Sequence, residues 1–139
     1  LFARSDDPVA PRTWDDVRAL GPDGVILLNY DSSAVGRLQR LGGMQIDATA
    51  RTIEQNLRKL QSGKGRFFFY TRTGGMDEIE RLKLSRSLRV VEPPFDRQSF
   101  HVLVGRHVPQ RHLELLEEAL RAIDASGRLK SLQQHWSMQ

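Results

Sequence analysis

The sequence has no cysteine among its 139 residues, which excludes a disulfide framework and a thiolate zinc site. Its uninterrupted apolar runs are only a few residues long, against the roughly 20 that a membrane-spanning helix needs. Charge of one sign is not gathered into a block, since 21 Lys and Arg are interspersed with 17 Asp and Glu. A nucleic-acid-binding surface needs clustered basic residues, so we expect no nucleic-acid partner. The length allows one core but not two full-sized domains.

The chain opens without methionine, on Leu1-Phe2-Ala3-Arg4, which reads as the middle of a strand. We interpret this start as processed or truncated. The lack of a leader therefore carries no information about the compartment. The histidines His101, His107, His112 and His135 share no spacing suited to a metal, so we expect neither a metal site nor a cofactor.

Strand and helix signals alternate through the first half of the chain. In order, the pattern predicts a helix capped by Thr13, a central strand over 25–28, a helix from Ser32 or Ser33, a strand over 44–48, a helix opened by the capping box Thr52-Ile53-Glu54-Gln55, and a strand over 66–71. Strand, helix, strand, helix, strand with tight connections predicts an α/β fold with a doubly wound, mostly parallel sheet.

The second half has a different organisation. A helix is predicted past Gly74-Gly75, then a short strand over 88–91, an extended crossing at Pro93-Pro94, a strand over 100–104, a long helix from Val108-Pro109 and a last helix after Ser126-Gly127. The long helix places Leu113, Leu116, Leu120 and Ile123 on one stripe.

Two apolar runs end in polar residues that could hold a ligand. Val25 to Asn29 stops at Tyr30-Asp31-Ser32-Ser33, and Phe67 to Thr71 stops at Arg72-Thr73-Gly74-Gly75. If the runs are neighbouring parallel strands, their ends share the edge where open α/β sheets hold small ligands. The candidate ligand-binding residues are Asn29, Tyr30, Asp31, Ser32, Ser33, Arg72 and Thr73.

Helix N-terminal amides at Ser32 and Ser33 carry about half a positive charge and could bind a carboxylate. Arg72 could make a bidentate contact with an anion, so an anionic or zwitterionic solute is favoured. Other interpretations stay open. The two serines can be plain helix caps, Asp31 can compete with them as a cap, Arg72 can be a solvated loop residue, and Tyr30 can be packing.

Several segments together resemble the second half of a type 2 periplasmic solute-binding protein. They are Thr13-Trp14-Asp15-Asp16-Val17, the turn over 29–33, the run 56–64 leading into a strand, Leu88-Arg89-Val90-Val91-Glu92-Pro93-Pro94, and the tail segments 100–104, 119–120 and 126–129. The similarity is to the amino-acid-binding subfamily, family 3-like, that is associated with ABC transporters. It covers nearly the whole chain and corresponds to the C-terminal two-thirds of such a protein.

The resemblance implies that 8–91 is the second lobe of a two-lobed fold. Residues 1–7 and 92–139 would supply crossing strands and the returning part of the first lobe, its strand and helices included. The opening half of the first lobe is missing. The last helices would then be covered by a partner, by an upstream segment, or by a swapped copy in a homodimer.

The resemblance also implies a function, and this chain departs from the family's pattern in two places. We expect extracytoplasmic, periplasmic binding of a small polar solute for delivery to an ABC transporter permease. The alternative is a sensor module for a signalling partner, with lost or changed binding. Where this chain has Tyr30 and Asp31, the family usually has glycine followed by threonine or serine. In the region where this chain has Arg72, the family commonly has an aspartate. Asp31 could therefore face a cation and Arg72 an anion. No nucleophile with a paired base is visible, so we expect no enzyme.

Overall fold

The computed structural model describes residues 1–97 and 101–137, except for the side chains of Gln133 and residues 135–137. The chain divides into two units, Leu1–Arg97 and Gln98–Gln139. Unit 1 contains every strand found in the described residues, and the helices at the end of the chain belong to unit 2.

Strands and helices alternate in unit 1. In chain order they are β1 (Phe2–Arg4), α1 (Trp14–Ala19), β2 (Ile26–Asn29), α2 (Ser33–Leu41), β3 (Ile46–Ala50), α3 (Ile53–Gln61), β4 (Phe67–Phe68), α4 (Arg72–Arg81) and β5 (Leu88–Val90), with a 3-10 turn at Gly21–Asp23. The predicted helix starts at Thr13 and Thr52 are confirmed by complete capping boxes, in which each threonine exchanges hydrogen bonds with the residue three positions later.

The strands form one sheet in the order β3-β2-β4-β1-β5. β2 pairs in parallel with both β3 and β4, whereas β1 pairs antiparallel with β4 and β5. Four strands, β2 to β5, therefore run in one direction and β1 runs against them. The predicted α/β fold class with a mostly parallel sheet is confirmed, and so is the prediction that β2 and β4 are parallel neighbours.

Helices cover both faces of this sheet. Side chains alternate along β2, because successive residues of a strand point to opposite faces. One buried cluster contains Ile26, Leu28, Val17 and Leu38, and the other contains Leu27, Leu57, Leu60 and Ile79. α1 and α2 thus pack on one face and α3 and α4 on the other, which is the doubly wound arrangement.

Three predicted elements in unit 1 have a boundary that is shifted by two residues or more. β3 spans Ile46–Ala50 rather than 44–48, and β4 contains only Phe67–Phe68 of the predicted 66–71. The larger change is at α4, which begins at Arg72 and includes Gly74 and Gly75 instead of following them. A Cβ at Gly75 would lie 2.2 Å from Cζ of Phe2. The glycine is thus explained by close packing against β1, not by a turn.

Unit 2 contains α5 (Gln110–Ala125) and α6 (Arg128–Ser137), both predicted, with Gly127 between them at φ +71°. The predicted strand over 100–104 is not found. Phe100 lies outside the described residues, and 101–104 pair with no strand in the described part of the chain. Extended backbone forms a strand only when a neighbour satisfies its amides and carbonyls. Across the residues that were described, no helix has the length and apolar character to cross a membrane.

Candidate functional site

The carboxyl ends of β2 and β4 lie side by side, and a helix begins just after each. Ile26 is in register with Phe67, and Leu27 with Phe68. α2 then begins at Ser33, and α4 begins at Arg72. We use "the rim" for residues 29–33 and 71–73. All the candidate residues named from the sequence belong to it, and the parallel pairing brings its two segments to one edge of the sheet.

The two helices that begin at the rim lack the side-chain caps found on the other helices of the sheet. The N-cap residues, Ser32 for α2 and Thr71 for α4, make no side-chain hydrogen bond to the first-turn amides. These amides are therefore free of the competition that the capping boxes of α1 and α3 provide. The structure therefore does not support the interpretation of the Ser32 side chain as a plain helix cap.

Ser32 itself carries an unused hydroxyl. Its Oγ is buried and has no hydrogen-bond partner within the part of the chain that the structure describes. A buried polar atom without a partner is costly, so such atoms are rare unless a ligand or water completes them. Ser32 Oγ stands at the start of α2, where the helix dipole favours an anion. The next residue, Ser33, is exposed in the first turn.

Asn29, at the end of β2, is held by a residue that the sequence did not single out. Asn56 Nδ2 in α3 donates a hydrogen bond of 2.7 Å to Asn29 Oδ1. Asn56 is fully buried, and its own Oδ1 has no partner among the described residues. The signal that could have revealed it is an amide side chain on the inward face of α3, beside Ile53, Leu57 and Leu60.

Tyr30 and Asp31 lie on the surface of the rim. Tyr30 is 55% exposed, and the guanidinium carbon of Arg51 lies 4.6 Å from the centroid of its ring. Asp31 adopts φ 59°, in the left-handed region that few residues other than glycine tolerate. Its exposed carboxylate makes no hydrogen bond or ion pair with any described residue. The geometry thus does not use Asp31 as a cap for α2.

Arg72 and Thr73 are in the first turn of α4, and both are exposed. The guanidinium of Arg72 forms an ion pair with the carboxylate of Glu92, and these side chains are 59% and 52% exposed. The two residues are 20 positions apart in the chain. Arg72 therefore already has a counter-ion at the rim, unlike an arginine in a solvated loop.

An open depression of about 400 Å³ lies along α3. It is lined by Thr49, Ala50, Gln55, Arg58, Lys59, Ser62 and Lys64. Lys59 Nζ donates to Asp47 Oδ2 at 2.6 Å and to Thr49 Oγ1 at 2.7 Å. Burial alone would raise the pKa of Asp47, but the hydrogen bonds from Lys59 and Thr49 outweigh it and lower that pKa. The lysine is thus engaged within the chain, and the depression contains none of the candidate residues.

The histidines whose side chains are described, His101, His107 and His112, do not assemble into a metal site. Over the residues described, no group of three or more His, Asp or Glu side chains could hold a metal ion. The side chain of His135 is outside that description. The chemistry available at the rim is that of amide donors, hydroxyls, an aromatic ring, a carboxylate and the guanidinium of Arg72 paired with Glu92.

Comparisons with known proteins place this fold. No protein-family model matches the sequence. No curated protein matches it significantly either. Among solved structures, a mutant of ArgBP from T. maritima superposes with a TM-score of 0.71 at 14% identity, over 99% of this chain and 56% of that one. An ancestral arginine-binding protein bound to glutamine gives a TM-score of 0.68 at 12% identity, over 97% and 57%.

These likenesses show that the chain has the fold of part of a solute-binding protein, as the sequence resemblance predicted. The chain spans little more than half the length of either structure, at 56% and 57%. At such low identity the likeness concerns the fold, and the function has to be argued from the rim itself.

Proposed function

We propose that this chain binds a small zwitterionic or anionic solute at the rim, as the second-lobe portion of an extracytoplasmic solute-binding protein that serves an ABC transporter. The observation that carries the proposal is the pair of uncapped helix N-termini that meet at adjacent parallel strands, with the buried, unpartnered Ser32 Oγ between strand and helix.

The chemistry follows from those groups. Free amides in the first turns of α2 and α4 can donate to a carboxylate, and Ser32 Oγ can add a hydroxyl donor. A solute carboxylate would thereby satisfy an oxygen atom that has no partner among the described residues. No nucleophile or base at the rim is required for binding, and the proposal contains no catalytic step.

The similar structures support the same class of function. Their names describe arginine binding, and one of them holds glutamine. By analogy we assign 8–91 to the second lobe, and 1–7 with 92–139 to the crossings and the returning part of the first lobe. Because the chain spans about half of those proteins, an upstream segment, a partner or a swapped second copy would close the cleft over a solute that the rim binds by itself.

A second candidate is a sensor module whose ligand differs from an ordinary amino acid. The observation in its favour is the unpaired carboxylate of Asp31 beside the anion-binding helix start. A negative charge there disfavours a simple anion. Both candidate functions place the solute at the rim. They differ in the partner that recognises the solute-bound state, which is a transporter in the first and a signalling protein in the second.

The proposal is tested by a thermal-shift screen of amino acids, polyamines and small carboxylates on the intact chain. A selective ligand raises the melting temperature by mass action. Ser32→Ala should abolish that rise. The matched control is Thr52→Ala, which removes a cap from α3, lowers the melting temperature by itself and leaves the ligand-induced rise intact. A selective ligand whose effect survives Ser32→Ala would refute the proposal, as would the absence of any selective ligand.

A further inference from the structure

The charged groups at the rim do not balance. Arg72 is paired with Glu92, so its charge is already compensated. Asp31 has no counter-ion among the residues described. Among the rim's own residues, the charge left unpaired is therefore negative, although the amides of α2 beside it favour an anion. A solute that satisfies both must carry a cationic group as well as a carboxylate.

The backbone directs the Asp31 carboxylate away from its ordinary local use. An aspartate beside a helix start commonly accepts hydrogen bonds from the first-turn amides. Here the left-handed conformation at φ 59° and the bond from Ser32 N to Asn29 O, 3.2 Å, form a tight turn, and α2 has no side-chain cap. The carboxylate stays exposed and available.

The ring of Tyr30 already holds a cation. The guanidinium of Arg51 sits over it at 4.6 Å, a distance at which the ring face attracts positive charge. The backbone amides of both residues are held by hydrogen bonds, from Tyr30 N to the backbone Ala50 O at 2.7 Å and from Arg51 N to the side-chain Oε1 of Gln55 at 2.8 Å. Arg51 has no carboxylate partner in the described chain, so only the ring holds its guanidinium.

We propose that Tyr30 and Asp31 form a subsite for a cationic side-chain group of the solute, a guanidinium or a side-chain ammonium, and that Arg51 occupies the ring face until the solute displaces it. This inference rests on the proposed function, because the carboxylate of the same solute binds at the start of α2. It assigns Arg51 the role of an internal competitor.

The test is calorimetric titration of the intact chain with L-arginine and with L-citrulline, in which an uncharged ureido group of nearly the same shape replaces the guanidinium. We expect the chain to prefer arginine by about fivefold or more. Asp31→Asn should remove this preference and leave citrulline binding unchanged. Arg51→Gln should tighten arginine binding by about two- to fivefold, because the competitor is gone. Arg58→Gln, which changes an arginine paired with Glu54 on α3, is the control and should have no effect.

The outcomes separate the two proposals. If citrulline and arginine bind equally well in a Ser32-dependent manner, the cation subsite is wrong and the proposed function stands. The same holds if Asp31→Asn keeps the preference for arginine or if Arg51→Gln weakens arginine binding. If neither probe binds and the wider screen finds no Ser32-dependent ligand, both proposals fail together.

Discussion

Gly75 of α4 lies so close to Phe2 of β1 that a Cβ at position 75 would be 2.2 Å from Cζ of the ring. This contact lies within the first turns of α4, which begins at Arg72. Close packing of α4 on the sheet therefore places its N-terminus at the carboxyl end of β4, next to the start of α2. The geometry of the rim therefore depends on Gly75, a residue whose side chain has no functional group.

Gly75→Ala should destabilise the chain by about 1–3 kcal/mol, because the new methyl group overpacks the contact with Phe2. The control is Gly36→Ala in α2, where the nearest atom to a new Cβ is Arg40 Nη1 at 3.5 Å. There the better helix propensity of alanine should stabilise by about 0.5–1 kcal/mol. Urea unfolding measures both changes. Equal effects at the two glycines would show that α4 does not pack against Phe2 in this way.

Asp7 and Arg66 provide a prediction on pH. Arg66 Nε and Nη2 donate to Asp7 at 2.8 Å each, and the aspartate side chain is 1% exposed. The hydrogen bonds from Arg66 hold the pKa of Asp7 below its usual value. A carboxyl with a lowered folded pKa contributes stability above its unfolded pKa, about 3.9, and loses it as the pH falls through the folded pKa.

Asp7→Asn should therefore destabilise by about 2–4 kcal/mol at pH 7, because Arg66 loses a buried partner. It should also reduce the loss of stability between about pH 4 and pH 2. Melting temperatures across this range measure both effects. Asp6→Asn is the control, since the Arg4–Asp6 pair is exposed on its carboxylate side and contributes little. A parallel acid profile for Asp7→Asn and the parent chain would contradict the assignment.

Asn56 should affect binding more than stability. Asn56→Leu removes the bond to Asn29 together with a buried oxygen that has no partner, so the free energy of unfolding should change by about 1 kcal/mol or less. Affinity for the solute found in the screen should fall by about three- to tenfold, since Asn29 loses its orientation. Titration calorimetry and urea unfolding separate the two. A large loss of stability with unchanged affinity would make Asn56 a purely structural residue.

Glu92 neutralises positive charge that Arg72 could otherwise offer to an anionic solute. Glu92→Gln should strengthen binding of L-glutamate by about two- to fivefold, because an exposed ion pair of this kind is worth up to about 1 kcal/mol. Stability should stay the same. Glu78→Gln, which breaks the pair with Arg81 on α4, is the control and should leave glutamate binding unchanged. Identical glutamate affinity in the parent and Glu92→Gln would remove Arg72 from the site.

Local sequence signals predicted those helices and strands that a short stretch of the chain determines by itself. The capping box at Thr52 gave the start of α3, and the uninterrupted apolar run before Asn29 gave a central strand beside β4. The start of α4 could not be predicted, since Gly74-Gly75 indicates a turn locally and its real role depends on Phe2, far away in the sequence. The strand over 100–104 was predicted from its apolar pattern alone, without a neighbour to pair with.

The candidate site was predictable as a place but not as a set of contacts. Adjacent parallel strands bring their ends together, and that follows from the pattern of strands and helices. The bond between Asn29 and Asn56, the pair between Arg72 and Glu92, and the position of Arg51 over Tyr30 are all tertiary contacts. Sequence spacing carries no information on such contacts, and they determine the charge that the rim offers.

Backbone amide NMR of the chain, titrated with the solute selected by the thermal-shift screen, tests the central claim most directly. The account predicts that the amides of Ser33 and Ala34 in α2 and of Arg72 and Thr73 in α4 shift together along one binding curve. The amides at the capped start of α3 should stay in place. Shifts confined to α3 and its depression, or shifts in only one of the two rim helices, would contradict the claim that these uncapped helix starts share a single solute.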